Sequence, residues 1–330
     1  MKKYLVPFLK ITVPLGLGVF LIWMVYKDLT PQDISDIKVA FSETNYFYIV
    51  LSAMFGLLSH ASRAWRWKYP LKELGYTPHF LNSFYTVMIG YFANLGIPRS
   101  GEIMRCGLMA KYEDIPFNKL VGTVIAERVA DLLILIAFIF LVIFLQFEKL
   151  SAYFIEMGIM EKFSLQKMLV YLGVLAVGGI IGIIILKKSK NSIVLKIGGF
   201  LQGIFDGLKT IFTMKDKWLF IGHTLFIWLM YFVMFYITFY SLPSIENVPL
   251  SGIFTAFVIG GISITVTNGG IGAYPLGMAS VLALYGIAES TGYAFGWAVW
   301  TGQTIMLVLA GLVSAVLLPR FNKRRVMSTE

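Results

Sequence analysis

Glu127, Arg128 and Asp131 are the residues of this sequence best placed to do chemistry, because they interrupt an otherwise apolar stretch at 120–147. Glu127 and Asp131 stand one helical turn apart, and Arg128 precedes Asp131 by three residues, so all three can meet on neighbouring faces of a helix. A helix beginning near Leu120 would carry Glu127 roughly 10 Å along its axis. At that depth in an apolar segment a short carboxylate must pair with a cation or line a wet cavity. Arg99, Glu102 and Arg105 are candidate partners, and Glu102 and Arg105 share a face if 101–110 is helical. Two readings follow: an ion-pair network that fixes the local fold, or a site for a substrate or a proton.

Two further stretches offer backbone rather than side-chain chemistry. The apolar region 80–110 is broken by Asn94-Leu95-Gly96-Ile97-Pro98-Arg99-Ser100-Gly101, and the apolar region 250–286 by Thr267-Asn268-Gly269-Gly270-Ile271-Gly272. Both have the pattern of a helix broken halfway. Discontinuous helices free amides and carbonyls that are tolerated at membrane depth only around a protein-lined cavity, which is how transporters bind substrates near the midplane. The alternative is close helix packing through glycine. In the second stretch Asn268, Gly269, Gly270 and Gly272 would open a half-helix over 273–286 whose first amides can hold an anion. Pro275 suits its first turn. Tyr274 would either place its hydroxyl in that cavity or serve as a packing aromatic. No strand–turn–helix unit surrounds these glycines, so they are not a dinucleotide fingerprint.

Other chemistry is thin. His60, His79 and His223 share no metal-ligand spacing, and Cys106 is the single cysteine, so neither a metal nor a cofactor is expected. No nucleophile-elbow serine occurs. The expected site therefore comprises Asn94, Arg99, Glu102, Arg105, Glu127, Arg128 and Asp131, with Asn268, Gly269, Gly270, Gly272 and Tyr274 facing them.

The elements that must position these residues are membrane helices. Of 330 residues, 58% are hydrophobic and 14% charged, against about a quarter charged in soluble domains. Apolar runs near span length lie at 7–26, 46–62, 120–147, 167–186, 218–242 and 293–318. No cleavage site follows the first, so it reads as a retained helix. With the N-terminus inside and both broken regions entering and leaving on one side, 21 Lys and Arg fall in cytoplasmic segments and 4 in external ones. A full crossing at 80–98 would invert that bias. Residues 193–212, apolar at helical spacing but laced with lysine and glycine, read as an interfacial helix rather than a seventh span. Trp65, Trp67 and Trp218 read as an interface belt. The expected fold is an all-α polytopic membrane protein forming one domain, 1–330. It would have six full spans, two opposed re-entrant broken-helix hairpins and a weak inverted repeat.

Asn94–Glu102 with Arg105 resembles the Pro-x-x-Gly-acidic-x-x-Arg pattern of the flippase-like membrane proteins homologous to the transmembrane region of lysylphosphatidylglycerol synthase. Glu127-Arg128-Val129-Ala130-Asp131 resembles the same family's Glu-Arg-x-x-Asp pattern, and Gly269-Gly270-Ile271-Gly272 matches near the C-terminal end. The resemblance implies a multi-pass protein of the bacterial inner membrane, both termini cytoplasmic, that moves a lipid or lipid-linked head group between leaflets. It also implies that aminoacyl-transferring activity is absent from a chain ending at Glu330. Many relatives carry an acidic residue shortly after the glycine run; this chain has Tyr274-Pro275 there, which puts any coupling role for an acid in doubt.

The expected partner is a membrane lipid with an anionic or phosphate-containing head group, and not nucleic acid, the net charge of +10 being suited to an anionic leaflet. Two other functions compete. One is a membrane-embedded transferase acting on a lipid-linked substrate with Glu127 or Asp131 as general base. The other is a structural partner of a separate lipid-modifying enzyme.

Overall fold

The computed structural model describes residues 20, 23, 27, 30–97, 100–147, 209 and 211–327. The expected spans at 7–26 and 167–186 and the interfacial helix at 193–212 fall almost wholly outside these residues, as does Arg99. Every regular element among the described residues is helical: α1 Pro31–Glu43, α2 Tyr46–Arg66, α3 Lys68–Glu73, α4 Phe80–Gly96, α5 Ser100–Glu113, α6 Phe117–Leu145, α7 Lys217–Thr238, α8 Leu250–Val266, α9 Ala273–Ala283 and α10 Glu289–Met327. Among the described residues three stretches can cross a membrane by length and composition, Phe117–Leu145, Lys217–Ser241 and Glu289–Lys323. The chain divides into two compact units, one of Met1–Val124 with Thr213–Glu330 and one of Ile125–Phe212.

Within the larger unit α2 and α7 pack antiparallel over their whole length. At one end the Asn45 amide donates to the Ser241 carbonyl at 2.7 Å. Further along, Ser62 meets His223 at 2.8 Å, and the Arg66 Nη1 donates to Thr224 Oγ1 at 2.9 Å. At the other end Lys72 pairs with Asp216 at 2.7 Å. This hydrogen-bonded carboxylate raises the Lys72 pKa above its ordinary value. Asn45 also caps α2, accepting from the Phe47 amide.

The sequence 80–113 folds into a helical hairpin. Neither arm reaches the ~20 residues of a full span: α4 has 17 and α5 has 14. At the base, the Glu113 carboxylate accepts from the His79 amide at 3.1 Å and from the Asn82 side chain. Asn82 also exchanges hydrogen bonds with Asn322, close to the end of α10. The base thus shares one end of the unit with the basic tail of α10, while the tip at Leu95–Ile97 points away from it.

A second hairpin, α8–α9, has its base at the opposite end. Gly252 lies against the Tyr285 ring, and Leu242, Ile245, Val248 and Ile253 join Phe239 and Ile49 in one apolar cluster. The long helix α10 is the spine for both hairpins. Its N-terminal half lies on α9, where a Cβ at Gly296 would stand 2.5 Å from Pro275 Cα; its C-terminal half lies on α4, where Gly311 meets Phe92. Small residues of this kind let membrane helices approach closely.

Candidate functional site

The two tips meet. Gly269, at the turn between α8 and α9, lies beside Leu95 at the tip of α4: a Cβ on Gly269 would be 3.6 Å from Leu95 Cδ2. The Trp300 indole, about 17 Å along α10 at 1.5 Å per residue, donates to the Gly269 carbonyl at 2.7 Å. The structure thus brings the two broken stretches together inside the larger unit.

The first tip is held by side chains. Asn94 Oδ1 accepts from the Gly101 amide at 2.7 Å, and Ser100 Oγ donates to the Ala93 and Ile97 carbonyls at 3.2 and 2.8 Å. These bonds satisfy groups that the break in the helix would otherwise orphan. They also press the arms together so closely that Gly101 and Gly90 touch through their backbones. Glu102 sits in the first turn of α5, where a carboxylate is favoured by the helix dipole. Arg105 lies one turn further on, buried, with its guanidinium carbon 3.5 Å from the centroid of the Trp67 ring. Trp67 in turn donates from Nε1 to Thr123 Oγ1 at 2.8 Å. Trp67 is therefore a core residue, 0% exposed, and not part of an interface belt, whereas Trp65 and Trp218 are 44% and 75% exposed.

The second tip is held by backbone. Gly269, Gly270 and Gly272 adopt φ of 64°, 86° and 72°, a region in which other residues are strained. They reverse the chain between the two helices, with Asn268 in the same turn. α9 begins at Ala273 as expected but ends at Ala283. Tyr274 packs its ring against Gly260 within the apolar core.

Glu127, Arg128 and Asp131 belong to the smaller unit and lie on α6, which starts at Phe117 rather than near Leu120. Glu127 is 1% exposed and Asp131 9%. Arg128 keeps 46% of its side chain exposed, and its Nη1 stands 3.9 Å from Asp131 Oδ2. A buried carboxylate on so apolar a helix is costly unless it serves a polar site or a fixed partner.

A family model of the lysylphosphatidylglycerol synthase TM region matches residues 11–311. The chain belongs to that family. A UPF0104 membrane protein of Methanocaldococcus jannaschii is 36% identical over 103 residues, which are 30% of this chain and 31% of the relative's own length. No solved structure matches the chain.

This member of the lysylphosphatidylglycerol synthase TM region family carries a second polar cluster that the sequence reading passed over. α2 continues past the expected end of its span and buries Arg63 at 3% exposure and Arg66 at 0%. Arg63 Nη2 donates to Tyr231 Oη at 3.4 Å, and Tyr231 is in turn 3.3 Å from Tyr91 Oη on the first hairpin. His60 lies over the Tyr91 ring at 4.3 Å between centroids. Ser59, Arg63 and Arg66 recur at helical spacing on one face, a signal present in the sequence. The expected span ends at residue 62, which leaves Arg63 and Arg66 in the loop 63–79 among its cytoplasmic cations.

Proposed function

We propose that this protein moves a lipid, or a lipid-linked head group carrying phosphate or another anionic group, from one leaflet to the other. In this reading six helices cross the membrane and the two hairpins are re-entrant, one from each side, as a weak inverted repeat. The basic end and both termini are cytoplasmic, in a cell's inner membrane. The single observation that carries the reading is the meeting of two opposed hairpin tips beside Trp300. Irregular backbone of this kind within apolar surroundings is tolerated where it lines a cavity, and such junctions are where transporters bind their substrates. The hydrocarbon tail stays in the bilayer while the head group passes the tips.

Arg99 and Arg105 at the first hairpin, and separately Arg128 on α6, are the anion-binding groups of this reading, because a planar guanidinium offers phosphate two parallel hydrogen bonds where lysine offers a mobile point charge. Glu102 serves the arginines of the first hairpin, and Glu127 and Asp131 serve Arg128, by orienting them or exchanging protons. Asn94, Gly269, Gly270 and Gly272 shape the passage.

The test is lipid translocation in reconstituted vesicles, scored beside protein yield. Arg128→Ala is compared with Arg128→Ala combined with Asp131→Asn, since Arg128 faces the buried Asp131 carboxylate at 3.9 Å and stripping a buried charge of its partner can cost about 3–5 kcal/mol. A double variant that regains yield without transport supports the reading. Recovery of both yield and transport would make the cluster structural and remove Arg128 from the site.

A further inference from the structure

A groove of about 530 Å³ runs between α2 and α7 on the basic side of the larger unit, away from the hairpin tips. Its walls are apolar and aromatic, chiefly Trp65, Phe80, Trp218 and Phe226, with one polar pair among them, Ser62 and His223. Their separation of 2.8 Å makes them hydrogen-bonded. With the Ser62 hydroxyl donating to Nδ1, the ring proton sits on Nε2 and is the donor that His223 presents in an otherwise apolar surface.

The acids near this groove are engaged, Asp216 by Lys72 and Glu73 by the Lys215 amide at 3.3 Å, which leaves the lysines to set its charge. Lys68 stands over the Trp65 ring with its Nζ 5.5 Å from the centroid, its ammonium exposed while its stem covers the aromatic wall. Lys72 is engaged by Asp216 at 2.7 Å, so the nearby carboxylate is spoken for. The two tryptophans that flank the groove, Trp65 and Trp218, are exposed as rings at a membrane–water interface are. A cation at head-group level, a hydrogen-bond donor just below it and an apolar channel below that form the sequence of groups a phospholipid presents in complement: anion, ester oxygens, acyl chain.

We propose that this groove binds a phospholipid with an anionic head group from the leaflet at the basic end, held by Lys68 at the phosphate, by His223 at an ester oxygen and by Trp65 and Trp218 along the chain. This site is separate from the hairpin tips and does not depend on the transport reading; it is a resident lipid position rather than a step of translocation.

The experiment uses the full chain in phosphatidylcholine vesicles and follows tryptophan emission as a fraction of the lipid is replaced by phosphatidylglycerol or phosphatidylcholine brominated on the acyl chain. Brominated phosphatidylglycerol is expected to quench more steeply than brominated phosphatidylcholine at equal fraction. That excess is expected to be lost in Lys68→Gln, to persist in Lys68→Arg, and to fall in Trp218→Phe, with unfolding transitions unchanged in all three. Equal quenching by the two lipids would overturn the proposal. An excess that survives both Lys68→Gln and Trp218→Phe would place anionic lipid elsewhere and overturn it equally.

Discussion

The two hairpins solve one problem, turning a helix back on itself in apolar surroundings, by different means. The first uses side chains: Asn94 covers the Gly101 amide and Ser100 returns to the Ala93 carbonyl. The second has no charged residue from Leu250 to Ala288 and uses three glycines with positive φ, its exposed carbonyl covered from outside by Trp300. The difference sets what each can contribute. The first brings Glu102 and Arg105 to the break; the second brings backbone dipoles and close approach. The proposed passage for a charged head group would draw on both, fixed charge on one side and a surface without competing charge on the other.

The most severe way to break this pairing is at the backbone contact of the first hairpin. Gly101→Leu should prevent the arms from closing, because Gly101 and Gly90 already touch, and should abolish accumulation of folded protein. Overpacking of an ordinary core costs about 1–3 kcal/mol, and here the obstruction is backbone, which cannot swing aside. Gly107→Ala, on the same helix with nothing within 4 Å of its added methyl, should leave the yield unchanged. Fluorescence-detected size exclusion of the two variants reads the difference directly.

In the second hairpin the expected effect is smaller. Gly270→Ala forces a methyl into a residue at φ 86° with Ile264 and Tyr274 3.2 Å away, at a cost of about 1–2 kcal/mol from the left-handed backbone. Gly261→Ala, on α8 in open space, serves as the control. Thermal unfolding in detergent should separate them by several degrees, and equal midpoints would mean that the turn is not held as described.

The two hydrogen-bonded locks give the smallest effects and compare the hairpins most finely. Asn94→Ala removes the acceptor of the Gly101 amide at a cost of about 1 kcal/mol, as at a helix cap. Trp300→Phe keeps an aromatic ring but deletes the donor to Gly269, at about 0.5–1.5 kcal/mol. If the tips act together, the double variant should lose more or less than the sum of the singles. Strict additivity would make them independent.

What the sequence made legible was local. Apolar runs, the Asn and Gly breaks and the one-sided distribution of Lys and Arg predicted helices where α4, α5, α7, α8, α9 and α10 lie. The break residues were also identifiable, since Asn94 and the glycines at 269, 270 and 272 carry their conformational preference in their own chemistry. Contacts between distant segments were not legible. Nothing near Trp300 marks it as the donor to Gly269, 31 residues away. Trp67 resembles Trp65 and Trp218 in sequence, yet it is buried under Arg105. The apolar run 46–62 ends before Arg63 and Arg66, yet the helix continues through them, and Thr224 and Tyr231 on α7 receive their side chains.

The claim that organises the rest is that the two hairpins enter the membrane from opposite faces. Single cysteines in a Cys106→Ser background test it most directly, at Lys111 and Lys323 near the base of the first hairpin and at Glu246 and Glu289 near the base of the second, all four exposed. An impermeant thiol reagent added to intact cells is expected to modify the cysteines at Glu246 and Glu289 and to reach those at Lys111 and Lys323 only after the membrane is opened. Modification of both pairs from the same side would contradict it.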